Sequence, residues 1–174
     1  GAARQAHPHA SLVFEAGTAS PEARVDKADS VGAEIEQRDN GKLMAEVVAQ
    51  VRYLGDYFKY YAGLADKIES SVIPTDKKGV FAYTRYEPKG VVAIITPWNF
   101  PFLIVAQKLP FALAAGCTAV VKPSELTSGS TLVLGEILLE AGIPAGVVNI
   151  VTGTGPEVGA VMTSHPDVDM ISFT

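Results

Sequence analysis

A single cysteine, Cys117, stands among 174 residues, so no disulfide can form within the chain. That count fits a reducing compartment. No apolar run approaches the ~20 residues a membrane-spanning helix needs. Nor does a basic segment followed by an apolar one open the chain as a secretion signal would. Charge of one sign is scarce as well. Fourteen lysines and arginines are interspersed with 19 acids for a net charge of −5, which leaves no basic patch to grip nucleic acid. Metal-ligand spacing is missing: His7 and His9 flank Pro8 without a Cys or carboxylate cluster to complete a site, and His165 sits before Pro166. There is no fixed-period repeat and no low-complexity tract. Together these absences favour a soluble, cytoplasmic protein with no metal, no membrane and no nucleic-acid partner. A native N-terminal segment preceding Gly1 is where a targeting signal could lie.

What the chain does have is apolar and alternating. Hydrophobic residues make up 48% and mean hydropathy is +0.21, which suits a packed α/β core. Residues 1 to 37 carry Pro8, Gly17 and Pro21 with weak periodicity and read as a frayed or helical lead-in. Residues 38 to 72 read as helical. After the Asn40-Gly41 turn, Leu43, Val47, Val51, Leu54, Phe58, Tyr61 and Leu64 recur at spacings of three and four, which predicts a helix from Lys42 to about Ile68. The same spacing favours packing over a stacking platform for Tyr57, Phe58, Tyr60 and Tyr61. Residues 73 to 89 alternate polar and apolar through Val80, Ala82, Thr84 and Tyr86, as an exposed strand or hairpin does.

Residues 90 to 174 alternate strand and helix. Strands are expected near 91–96, 118–122, 147–151 and 169–173, and helices near 101–115, 128–141 and 156–164. Pro101 and Pro156 mark helix starts, and Gly116 and Gly142 stand just past helix ends. Pro110 should kink the first of these helices, since it cannot donate to residue 106. Such βα units imply a Rossmann-like, doubly wound parallel sheet with right-handed crossovers.

Three strand ends carry candidate chemistry. Val91 to Ile95 stops in Thr96-Pro97-Trp98-Asn99-Phe100-Pro101. In open α/β sheets ligands bind beyond the carboxyl ends of the strands. The Asn99 amide offers two donors there with no net charge, which suits a developing oxyanion; it also suits an amide that satisfies its own turn. The second strand ends in Lys122-Pro123-Ser124-Glu125. An acid at that place can take ribose hydroxyls, although Pro, Ser and Glu are ordinary in a helix-entry loop. The third ends in Gly153-Thr-Gly155-Pro-Glu-Val-Gly159, a Gly-rich turn that lets a backbone approach a ligand or simply enters a helix. No G-x-G-x-x-G follows the first strand, so the usual dinucleotide fingerprint is absent.

Taken together, these segments resemble the aldehyde dehydrogenase superfamily. Residues 38 to 174 follow it almost without a gap, from Arg38-Asp-Asn-Gly-Lys42, through Tyr86-Glu-Pro-Lys-Gly90, to Val168-Asp-Met-Ile-Ser-Phe-Thr174. Residues 1 to 30 match poorly. The resemblance implies a partial cofactor domain with an N-terminal helical segment and part of a β arm used for oligomer contacts, in a homodimer or homotetramer. It assigns Asn99 to the oxyanion hole. Thr96, Pro97, Trp98, Lys122, Pro123, Ser124, Glu125, Gly155 and, with less weight, Gly159 go to NAD, with NADP possible. Phe100, Leu103, Ile104 and Gln107 lie at i, i+3, i+4 and i+7 on one helical face. The resemblance makes that face an aldehyde tunnel, whereas bare spacing reads it as core.

The implied reaction converts an aldehyde, water and NAD to a carboxylic acid and NADH through a cysteine thioester. The family supplies the nucleophilic Cys and a Glu base from a portion beyond Thr174, so the chain is expected to be a fragment, inactive alone. Cys117 lies in Ala-Ala-Gly-Cys-Thr-Ala-Val-Val and is expected in the core. A dinucleotide-binding module without chemistry and a structural remnant are the alternatives outside enzymes. A reductive or acylating relative is the alternative within them.

Overall fold

In a computed structural model the structure describes residues 28–174. His7, His9 and residues 1 to 27 of the lead-in lie outside the described residues. A π-helical turn, Ala28–Gly32, runs into α1 (Ala33–Asn40), and Gly41 closes that helix in the left-handed region at φ 74°. Next comes α2 (Met44–Ala62), whose Val47, Val51, Leu54 and Phe58 are buried. It is shorter than the predicted Lys42–Ile68. Leu43 forms its N-cap at 71% exposure, and the chain turns at Gly63, leaving Leu64 exposed. The apolar spacing therefore overran the buried stripe at both ends.

The hairpin is present but minimal. β1 (Val72–Ile73) pairs antiparallel with β2 (Ala82–Tyr83), and Val72, Ile73, Phe81 and Tyr83 are exposed. Four parallel strands follow: β3 (Val91–Ile95), β4 (Thr118–Lys122), β5 (Val148–Ile150) and β6 (Met170–Phe173), in the order β5-β4-β3-β6. They are joined by α3 (Pro101–Ala114), α4 (Gly129–Glu140) and α5 (Ala160–Ser164). Strand order runs outward from β3 through β4 to β5, then returns to the other side of β3 with β6. Between β3 and β6 lies the switch point at which doubly wound sheets open a ligand crevice.

Alternation along β3 explains both layers. Val92 and Ile94 join Phe102, Val105 and Leu109 of α3, with Ala119 and Val121 of β4, in the main core. Ala93 and Ile95 point the other way, onto Met162 of α5 and half-buried Val151, Val158 and Val168. All five residues of β3 are buried, as a central parallel strand requires. Each fully buried Val, Ile or Phe contributes ~1.5–3 kcal/mol before chain entropy is counted.

Two predicted helices differ in detail. α3 runs through Pro110 without interruption. The helix predicted over 156–164 is α-helical only from Ala160, because Gly155–Gly159 forms a π-turn. Thr154 caps its start: the hydroxyl accepts from the Glu157 amide at 3.3 Å and donates to the Glu157 carboxylate at 2.9 Å. No helix among the described residues is long and apolar enough to cross a membrane.

Candidate functional site

Register puts the three strand ends side by side. Ile95 pairs with Lys122, and the Thr96 amide extends the ladder by donating to the Lys122 carbonyl at 3.1 Å. On one flank the Val151 amide donates to Val121 at 2.9 Å. On the other, the Thr174 amide donates to Ile95 at 3.2 Å. The segments after β3, β4 and β5 therefore leave the sheet at one level.

The turn after β4 and the turn after β5 meet. Lys122 is 3% exposed, yet its ammonium donates to the Pro123 carbonyl at 3.1 Å and to Glu125 Oε2 at 3.2 Å. Gly159 packs against its stem: a Cβ there would lie 3.8 Å from Lys122 Cδ. The Glu125 carboxyl is held below the usual glutamate range, first by its own backbone N–H. The Lys122 hydrogen bond and charge add to this, and the Gly155 N–H reinforces it. Lys122, Glu125, Gly155 and Gly159 are thus brought together, while the Glu125 side chain stays 45% exposed. A fixed carboxylate beside an ammonium is a donor–acceptor set that matches a vicinal diol. Ser124 turns inward on its own loop, its hydroxyl accepting from the Leu126 amide at 3.3 Å.

Gly155 itself faces open space. The glycine that the backbone requires is Gly153, at φ 148°, where a Cβ would sit 2.4 Å from a Val158 methyl. Sequence spacing names the pattern but not which member of it is obligatory.

The turn after β3 is more open. Thr96 is buried and its hydroxyl has no hydrogen-bond partner among the described residues. Pro97 is half-buried, Trp98 is 54% exposed and Asn99 is half-buried. The Asn99 amide makes no hydrogen bond to a described residue. Among the described residues it therefore does not close its own turn.

The face Phe100, Leu103, Ile104, Gln107 is core only in part, through Leu103, which packs against the main core. The buried face of α3 is Phe102, Val105, Ala106 and Leu109, whereas Phe100, Leu103 and Ile104 are half-buried and Gln107 is exposed. Gln107 Nε2 donates to the Tyr57 hydroxyl at 3.0 Å, tying this face to α2. Cys117 is buried at 6% exposure, with its amide donating to the Ala112 carbonyl at 2.9 Å.

Sequence reasoning passed over three ionic residues that hold the site's helices. Glu36 of α1 is 1% exposed. Its Oε1 accepts from Lys42 Nζ at 3.3 Å, and its Oε2 accepts from the Phe102 amide at 3.4 Å. α3 has no side-chain cap of its own: Phe100 is its N-cap and Pro101, its first residue, lacks an N–H. The carboxylate therefore supplies the missing partner, and at a partly buried helix N-terminus a negative charge stabilises by up to ~2 kcal/mol. Asp39, three residues on, does the same for α4, its Oδ2 accepting from the Gly129 amide at 3.0 Å. Lys108 reaches across from α3 to the end of β6, donating to Ser172 Oγ at 3.0 Å and to the Phe173 carbonyl at 3.4 Å, and burial lowers its pKa. The one local signal is polar residues on a short helix, which reads equally well as a solvated face.

Comparison with known proteins gives a consistent answer. The model of the "Aldehyde dehydrogenase family" matches residues 22–174, reaching back into the poorly matched lead-in. Over 150 residues the chain is 49% identical to (Z)-2-((N-methylformamido)methylene)-5-hydroxybutyrolactone dehydrogenase of Acinetobacter baylyi, covering 86% of this chain and 31% of that relative. It is 50% identical over 154 residues to aminoaldehyde dehydrogenase 1, peroxisomal, of Pisum sativum, covering 86% and 30% respectively. Among solved structures, PnpE in complex with nicotinamide adenine dinucleotide superposes with a TM-score of 0.87 at 38% identity, covering 98% of this chain and 34% of PnpE. The chain thus spans about a third of the length of the relatives it matches.

Proposed function

This chain belongs to the aldehyde dehydrogenase family, and we propose that the intact protein oxidises an aldehyde to a carboxylic acid with NAD. The observation that carries the reading is that two unlike turns leave the carboxyl end of the sheet at one level: one carries Asn99, whose amide bonds no described residue, and the other the Lys122–Glu125 pair beside Gly155. NAD is the cofactor of the solved PnpE complex, and the residues here fit it. Lys122 and Glu125 would hold the adenosine ribose, with Pro123 and Ser124 shaping their loop. Gly155 and Gly159 would flank the adenine and pyrophosphate, and Thr96, Pro97 and Trp98 would line the nicotinamide side. Bound there, NAD supplies a hydride acceptor.

The chain's own part in the chemistry is electrostatic. When a nucleophile adds to an aldehyde the carbonyl oxygen becomes an oxyanion, and Asn99 donates an N–H to it without adding charge. Phe100, Leu103, Ile104 and Gln107 line the aldehyde's approach, with the Gln107–Tyr57 pair as its polar end. The nucleophilic Cys and the Glu base come from the remaining two-thirds of the protein. Cys117, buried and hydrogen-bonded to no base among the described residues, is structural in this reading. The exposed β1–β2 hairpin serves a homo-oligomer contact. The single buried cysteine suits a reducing compartment such as the cytoplasm, and the word peroxisomal in one relative's name makes cell fractionation the test of that placement.

The test is NADH formation by the full-length protein across a panel of aldehydes, beside the 174-residue chain alone. Turnover by the former and none by the latter is expected. NADH production by the chain alone, abolished by Cys117→Ser, would overturn the division of labour. A full-length protein that binds NAD but oxidises no aldehyde would leave only a binding module.

A further inference from the structure

The Asn99 donors engage no described residue, so their aim depends on how the turn that carries them is held. Asn99 is followed by Phe100 and Pro101, and the first amide of α3 able to donate is that of Phe102. Both aromatic residues are gripped from α1 and its exit. Lys42 Nζ sits 3.5 Å from the Phe100 ring centroid, and Glu36 accepts from the Phe102 amide. Lys42 is in turn fixed by Glu36 Oε1 at 3.3 Å and by Gln50 Oε1 at 3.0 Å. Asn40 Nδ2 donates to the same Glu36 oxygen at 3.5 Å. Behind these contacts, Gly32 admits the Phe102 ring so closely that a Cβ would lie 2.5 Å from Phe102 Cε1. No other polar contact among the described residues holds the side chains of residues 97 to 102.

We propose that the Glu36–Lys42 pair, a buried carboxylate with a half-buried ammonium, is a positioning device for the Asn99 amide, acting through the start of α3. The inference rests on the oxyanion role proposed above for Asn99. It assigns no contact with substrate to either residue. Glu36 fixes the backbone two residues after Phe100, Lys42 fixes the Phe100 ring, and the Trp98–Phe100 turn is thereby aimed into the crevice. A donor misplaced by ~1 Å can cost about 10²-fold in rate.

The experiment is a double-mutant cycle in the full-length protein, with kcat at saturating NAD, the Kd of NAD and the Tm measured on each variant. Glu36→Ala and Lys42→Met are made in wild-type and Asn99→Ala backgrounds, with Asp39→Ala as the control that removes α1's other helix cap. We expect Glu36→Ala to lower kcat by roughly tenfold to a hundredfold and Lys42→Met by a smaller factor, with NAD affinity kept within about twofold. Both losses should shrink towards unity in the Asn99→Ala background, because the residue they act through is gone. Asp39→Ala should lower Tm but keep kcat within about twofold. If Glu36→Ala does not fold, Glu36→Gln, which keeps the volume, takes its place in the cycle. Equal fold losses in both backgrounds, unchanged kcat, or an Asp39→Ala loss as large as that of Glu36→Ala would overturn the positioning role. A wild-type protein that oxidises no aldehyde would instead defeat the functional reading beneath it.

Discussion

The turn after β4 holds itself, whereas the turn after β3 is held from outside. Lys122 reaches Glu125 three positions along and the carbonyl of Pro123 next to it, so that corner closes on contacts local in sequence. The Asn99 corner borrows its hold from Glu36, 66 residues before Phe102, and from Lys42 over Phe100. In the proposed reading, a cofactor-binding corner can spend its charges on each other, since a carboxylate accepts several bonds at once. An oxyanion donor cannot, because a donor already engaged by its own turn has nothing left for the transition state. External anchoring leaves the Asn99 amide without a bond to any described residue, and it makes that corner depend on packing far away in the chain.

Breaking the packed base of the Asn99 corner should have the largest effect. Phe102 is fully buried against Gly32, and Phe102→Ala should cost about 3–5 kcal/mol of stability. Ser124→Ala, in the exposed loop of the other corner, should cost about 0.5 kcal/mol or less. Chemical denaturation of both variants gives the contrast, and similar losses would mean that the two corners are anchored alike.

Next in size is cofactor choice at the local corner. A ribose 2′-phosphate would bring like charge against the Glu125 carboxylate in a partly desolvated cleft, so NAD should be preferred over NADP. Lys122 opposes this, since its ammonium can pair with the phosphate, so the preference is finite. Glu125→Gln should raise kcat/KM for NADP relative to NAD about tenfold, or ~1.4 kcal/mol. A wild-type protein that favours NADP, or a ratio untouched by the substitution, would contradict this.

The smallest effect sharpens the ion pair itself. The Glu125 carboxyl titrates below its ordinary value, held first by its own backbone amide and then by Lys122. A depressed folded-state pKa means the pair contributes above the ordinary glutamate range and is lost as pH falls through the lowered value. Lys122→Met should therefore move the Glu125 titration up towards the ordinary glutamate range, with part of the depression kept by the backbone amides. Carbon NMR of the carboxyl across acidic pH reads this directly; an unmoved curve would assign the whole shift to the backbone.

The same contrast explains what could be read from the sequence. The four parallel strands and their order of helices were legible because β-branched runs and Pro and Gly punctuation are local signals. Lys122 and Glu125 were legible for the same reason, lying three residues apart past a buried strand. Glu36, Asp39 and Lys108 were not, since their partners are a Phe102 amide, a Gly129 amide and the end of β6. Pairings of that separation leave no periodicity to find. The π-turn at Gly155–Gly159 also escaped, because helix-start signals at Thr154, Pro156 and Glu157 do not distinguish a π-turn from an α-turn. Leu43 and Leu64 fit the helical spacing of α2 yet lie outside its buried stripe, for apolar spacing continues past the point where packing stops.

The most direct test of the whole account is Asn99→Ala in the full-length protein, with kcat and the Kd of NAD measured on the same preparation. If one corner stabilises the oxyanion and the other holds the cofactor, kcat falls ~10²–10³-fold, or ~3–4 kcal/mol, while NAD affinity stays put. Near-normal kcat with lost NAD affinity would make Asn99 a cofactor or turn residue and dissolve the distinction between the two corners.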